Sequence, residues 1–81
     1  MNKKRRNEIA LNLRTLVMIK NNFESILFDE QNSYDNIPEN LQNSDRAIES
    51  EEAIDCLDNA VDYIETAIDN LSDAIDSIEE I

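Results

Sequence analysis

Hydrophobic positions recur with a strict seven-residue period in the second half of the chain. From residue 53 to residue 81 an aliphatic side chain returns at alternating spacings of three and four, which is the pattern of an α-helix with one apolar edge. No position is missing, so the pattern predicts one uninterrupted helix over residues 45–81, capped at Ser44 or Asp45 with Ser50 as a later alternative. The predicted core seam consists of Ile54, Leu57, Val61, Ile64, Ile68, Leu71, Ile75 and Ile78.

A column of alanines precedes this seam by one position in each repeat. Charged side chains usually occupy this position in two-stranded coiled coils, whereas a small side chain lets a neighbouring helix come close. The apolar face therefore covers three positions of every seven, as in helices of a bundle. The column consists of Ala53, Ala60, Ala67 and Ala74.

The first half of the chain has a wider and less regular apolar face. Its main stripe predicts a helix over residues 3–33, but Lys20 and Glu30 interrupt it. Ile19 and Ile26 widen the face on one side, which makes it too wide for one partner helix to cover. The stripe consists of Ile9, Leu13, Leu16, Phe23, Leu27 and Tyr34.

The segment 34–44 separates the two predicted helices. Pro38 disfavours a helical conformation at Ile37, so the first helix should end before it. Two helices of matching length and one short connection predict an all-α fold, an antiparallel two-helix hairpin. A hairpin of 81 residues buries little surface, so we expect a homodimer that forms a four-helix bundle.

Charge is distributed very unevenly along this chain of net charge −12. Residues 47–81 contain twelve acids and no base, and most of these acids lie on one side of the predicted second helix. One interpretation is a solvated face that keeps the protein soluble. The other is a partner-binding surface that imitates the phosphates of a nucleic acid. The predicted acidic stripe consists of Asp55, Asp58, Asp62, Glu65, Asp69, Asp73 and Asp76.

The basic residues are concentrated at the start of the chain. In an antiparallel hairpin these residues meet the acidic end of the second helix, so the pairing of opposite charges favours that register. A minor alternative is contact with a nucleic acid or a membrane. The basic run is Lys3, Lys4, Arg5 and Arg6, and the expected acids are Asp76, Glu79 and Glu80.

The composition argues against catalysis. The chain has no histidine and no glycine, so it lacks an imidazole base and a glycine-rich phosphate loop. Its single cysteine, Cys56, has no partner for an internal disulfide. We therefore expect no enzyme activity, no cofactor and no metal site, with weak divalent-cation binding as a minor alternative. No apolar run approaches the length of a membrane span, and we expect a cytoplasmic protein, with neither membrane nor nucleic acid as a direct partner.

The central block DNIPENLQNS, residues 35–44, resembles short proteins of phages and prophages of Gram-positive bacteria. These proteins share a basic first helix, this block, an acidic segment and helical AIDxL repeats. The resemblance implies a phage origin and action in the bacterial host. It implies no particular site residues.

The leading functional hypothesis is an interaction protein whose acidic stripe binds a basic surface of a host protein. Its concrete form is inhibition of a nucleic-acid-binding defence factor, CRISPR effectors included. One alternative is a structural or assembly factor that acts through helix packing at the bend or the alanine flank. Another is an oligomer that captures a small ligand between its helices.

Overall fold

The protein is a long helical hairpin in the computed structural model, which describes all 81 residues. Helix α1 spans Lys3–Asp35 and helix α2 spans Asp45–Glu79, with a short 3-10 turn at Glu39–Leu41 between them. The two helices pack against each other along most of their length, and the molecule measures 61 × 16 × 13 Å. The predicted all-α hairpin is therefore confirmed.

The helix boundaries follow local backbone chemistry. The Asn2 side chain accepts a hydrogen bond from the Arg5 backbone N–H and caps α1. Ser44 does the same for α2 through the Ala47 N–H. Helix α1 continues two residues beyond the predicted end, because Pro38 restricts only Ile37 and leaves the preceding turn free to stay helical. Helix α2 ends slightly before the predicted residue 81.

The core between the helices is thin. Only Ala47, Val61, Ile75 and Ser50 are buried, and no large side chain is completely removed from solvent. The remaining six members of the predicted seam of α2 are all half-buried. A single layer of side chains between two helices cannot enclose its members, because each is open to water on both flanks of the interface.

The two polar interruptions of α1 lie at the interface and bind α2. The ammonium group of Lys20 is 3.1 Å from the carboxylate of Glu65. The Ser50 hydroxyl donates a 2.7 Å hydrogen bond to the Glu30 carboxylate. Each pair joins residues of opposite helices, so the interruptions fix how α1 and α2 are aligned. Neither helix contains a segment that is both long and apolar enough to cross a membrane.

Candidate partner-binding surface

The acidic stripe runs along one side of the unbroken helix α2. All seven of its carboxylates are exposed, and the distance from Asp55 to Asp76 is about 32 Å at 1.5 Å per residue. Like charges spaced three or four residues apart on a helix destabilise it by a few tenths of a kcal/mol per pair. The sequence therefore maintains this arrangement against a small but repeated electrostatic cost.

Lys20 partly neutralises the stripe at its centre. Its ammonium group lies 3.1 Å from Glu65 on α2 and 3.6 Å from Glu24 on its own helix. The hydrogen bond to Glu65 is the main reason that the pKa of Lys20 is raised above its ordinary value, so the amine remains charged. These are the only ion pairs in the structure within 4.0 Å, so the other six carboxylates of the stripe have no basic group within that distance.

An apolar groove lies beside the middle of the stripe. It has a volume of about 560 Å³ and is open along one side. Leu27, Ile54 and Val61 are buried or half-buried and form its floor, whereas the carboxylates from both helices are exposed and form its rim. Its lining residues are Glu24, Leu27, Phe28 and Gln31 from α1, and Ile54, Asp58, Val61, Asp62 and Glu65 from α2.

Phe28 is the residue of this groove that sequence reasoning missed. It lies outside the apolar stripe of α1, and 65% of its surface is exposed. The sequence offers one signal, a large aromatic residue on a mostly polar flank of an amphipathic helix. Its location next to Asp58 and Asp62 became apparent only when the two helices were aligned.

The bend end of the hairpin is held by several specific hydrogen bonds. The Tyr34 hydroxyl donates to the Glu51 carboxylate, and this bond raises the pKa of Tyr34 above its ordinary value. The Gln42 side chain donates to the Ile37 carbonyl at 2.9 Å. A second cavity of about 240 Å³ lies here, lined by Ser33, Asn36, Ile37, Pro38, Leu41, Ser44 and Arg46.

The basic start of α1 lies next to the end of α2, but the expected pairs of opposite charges are not formed. Arg6 alone reaches across, and its guanidinium donates to the backbone carbonyl of Glu79 at 3.5 Å. The last carbonyls of a helix have no partner within it and accept such hydrogen bonds. The predicted ion pairs with the carboxylates of Asp76, Glu79 and Glu80 are therefore not formed, and a backbone carbonyl is the acceptor instead.

The remaining candidate chemistry is sparse. Cys56 is a free, exposed thiol. No group of three or more histidine, cysteine, aspartate or glutamate side chains is arranged to hold a metal ion. The surface offers carboxylates, the exposed aromatic rings of Phe28 and Tyr63, and a groove, which are the means to bind another molecule.

Comparison with known proteins gave no relatives: no family model, no curated protein and no solved structure matches this chain.

Proposed function

We propose that this protein is a non-enzymatic interaction protein whose acidic face binds a basic surface of another protein. We define the acidic face as the side of the hairpin that carries the acidic stripe and Phe28. The observation that carries the proposal is the groove, because it combines an apolar floor with a rim of carboxylates. A face that only keeps a protein soluble has no need of an exposed phenylalanine among its charges.

The chemistry of the groove defines the partner that fits it. A basic helix or loop provides lysine or arginine for Asp58 and Asp62, and an apolar side chain for the floor beside Phe28. An arginine is especially suitable, because its guanidinium both pairs with carboxylates and stacks on an aromatic ring. Aromatic and arginine contacts of this kind contribute most of the binding energy at many interfaces.

A nucleic-acid-binding protein is the concrete form of this partner. Such proteins bind phosphates through rows of lysine and arginine, and a rigid row of carboxylates about 32 Å long presents a similar charge pattern. The resemblance to phage proteins suggests that the partner is a host defence factor, whose nucleic-acid cleft the hairpin would occupy.

The test begins with affinity capture of the partner from bacterial lysate and continues with purified proteins. We expect binding to weaken steeply as salt is added, because exposed charges are screened. Reversing four acids of the stripe should reduce affinity by roughly 100-fold or more, since buried charge pairs contribute more than 1 kcal/mol each. The substitutions are Asp58→Lys, Asp62→Lys, Asp69→Lys and Asp76→Lys.

A matched control changes the net charge equally but leaves the acidic face intact. It carries four reversals at exposed acids elsewhere: Glu8→Lys, Asp29→Lys, Glu39→Lys and Glu49→Lys. We expect this control to retain most of its affinity. If the two variants lose affinity equally, the binding depends on net charge alone and the proposed surface is wrong.

Phe28→Ala tests the apolar part of the groove separately. We expect about ten-fold weaker binding with an unchanged dependence on salt, because no charge is removed. Met18→Ala, which removes an equally exposed apolar side chain outside the groove, is the control and should bind normally.

The bend offers a second candidate surface for an assembly factor. Leu41 is half exposed there, above the smaller cavity. Binding through this region would depend little on salt, and Leu41→Ser would abolish it while the stripe reversals would not.

A further inference from the structure

The side of the hairpin opposite the acidic face is uncharged and largely apolar at its centre, where Asn22 is the polar exception. The groove occupies the Phe28 flank of α1, so Ile19 and Ile26 on the other flank lie on the side of the alanine column. Ile19 is 40% and Ile26 50% exposed. Tyr63 of α2 comes three residues after Ala60 of the alanine column, so it lies on the same side, and it is 76% exposed. We call this side the alanine face.

The alanine face is symmetric from end to end. The ion pair between Lys20 and Glu65 sets the alignment of the two antiparallel helices. Because the helices are antiparallel, each residue before Lys20 on α1 corresponds to one residue after Glu65 on α2. Ile19 therefore lies level with Ala67 to within one helical turn. By the same counting Ile26 lies near Ala60. Tyr63 lies midway between these two pairs.

Polar residues mark both ends of the apolar region of the alanine face, at the same distance from its centre. Asn12 and Ser33 occupy the same edge of α1 one heptad beyond each isoleucine. Consider a second copy that is rotated by 180° about an axis through Tyr63, so that it faces the first copy and runs antiparallel to it. This rotation places Ile19 of one copy on Ile26 of the other, and Ala60 on Ala67. Self-complementarity of this kind is what a two-fold dimer interface requires.

The surface area is consistent with a missing partner. The hairpin has an accessible surface of 6179 Å² at a mass of 9.3 kDa, whereas a compact monomer of this mass has about 5,000 Å². The molecule is 16 Å wide, and two hairpins overlapping over about 50 Å would cover about 800 Å² on each copy. That is the usual size of a stable protein interface.

Charge decides the orientation of the two copies. Residues 29–52 at the bend contain eight acids and one base. Residues 1–14 and 73–81 at the open end contain five acids and five bases. A parallel arrangement would place two strongly acidic bends together, whereas an antiparallel one places each bend over a neutral end, where bases are available.

We propose that the alanine face binds a second copy of the same chain in antiparallel orientation, with Tyr63 on the two-fold axis. The dimer is a four-helix bundle in which α1 packs on α1 and α2 on α2. The two acidic grooves then face outwards on opposite sides, so this inference is independent of the proposed function.

Sedimentation equilibrium tests the association. We expect a mass twice 9.3 kDa for the unchanged chain. The double variant Ile19→Gln/Ile26→Gln should dissociate at least ten-fold more readily, since it removes apolar surface from the interface centre. Leu11→Gln/Met18→Gln removes similar exposed surface from the outer side of α1 and should remain a dimer. Circular dichroism shows whether each variant keeps its helices.

Disulfide cross-linking tests the orientation in the folded chain. Cys56 and position 70 lie equally far on either side of Tyr63, so an antiparallel dimer brings Cys56 of one copy next to position 70 of the other. We expect Asn70→Cys to form a covalent dimer on mild oxidation. The unchanged chain should not, because its two Cys56 residues would be about 21 Å apart, beyond the roughly 7 Å that a disulfide allows.

Three results would overturn the proposal. The first is a monomer at millimolar concentration. The second is equal dissociation of the two glutamine variants. The third is a dimer in which the Asn70→Cys chain does not cross-link although its helices are intact.

Discussion

Ser50 and Glu30 form a polar contact inside the hairpin whose contribution can be calculated and measured. Ser50 is 8% exposed and occupies a seam position of α2 where the heptad pattern otherwise has an aliphatic residue. Its hydroxyl donates to Glu30 on α1 at 2.7 Å. Glu30 is only half-buried, so water reaches its other oxygen. The perturbation is Ser50→Ala, combined with Glu30→Met in a double-mutant cycle.

The expected magnitude follows from this geometry. A hydrogen bond to a charged group contributes about 1.5–3 kcal/mol, and the lower end applies because Glu30 remains hydrated after the change. Alanine is a better helix former than serine by about 0.5 kcal/mol, which offsets part of the loss. Ser50→Ala should therefore destabilise the hairpin by about 1 kcal/mol. In the Glu30→Met background the same change should be neutral or stabilising by up to about 0.5 kcal/mol, which gives a coupling of about 1–1.5 kcal/mol.

Urea unfolding followed by circular dichroism is the assay, at one fixed protein concentration because the proposed self-association would stabilise the folded state. Ser72→Ala is the control, since Ser72 is a half-buried serine of α2 whose side chain makes no hydrogen bond, in contrast to the buried and bonded Ser50. That variant should be as stable as the unchanged chain or slightly more so. Equal stability of the Ser50 and Ser72 variants, or a coupling below about 0.3 kcal/mol, would refute the assignment.

Two further predictions concern stability. The pKa values of Lys20 and Tyr34 are raised above their ordinary 10.5 and 10.0, by hydrogen bonds to Glu65 and Glu51 respectively. The folded state therefore holds both protons more tightly, so the stability that these two groups contribute should be complete below about pH 10 and be lost above it. Lys20→Met/Tyr34→Phe should flatten this fall in urea unfolding measured from about pH 8 to pH 11. Val61→Ala removes two methyl groups from a buried seam position and should cost about 1.5–2.5 kcal/mol. Its exposed neighbour Asp62→Ala should change stability by less than about 0.5 kcal/mol, and equal effects at the two positions would contradict the observed packing.

Most of the structural features that could be predicted from the sequence follow from the heptad repeat of α2. Because the apolar seam is complete, the helix can bury its aliphatic side chains on one face only. The length of the helix and the identity of its buried face therefore follow from the residue spacing alone. Ser44, Pro38 and the matching helix lengths then predict the bend and the antiparallel return. Each of these signals is local, because it involves residues within a few positions of one another.

The contacts between the helices were not predictable from either helix separately. Lys20 and Glu30 appear as interruptions of a stripe until α2 is aligned with α1, and only then do Glu65 and Ser50 become their partners. The groove beside Phe28 depends on the same alignment. Arg6 illustrates the opposite error, because charge alone suggested a carboxylate partner where an unpaired backbone carbonyl was the nearer acceptor.

Chemical-shift mapping of the isotope-labelled hairpin with its purified partner would locate the binding surface residue by residue. We expect the partner-induced shifts to concentrate around Phe28 and along Asp58, Asp62 and Asp69 of the acidic face. Shifts confined to the bend at Pro38 and Leu41, with Phe28 unaffected, would contradict this expectation.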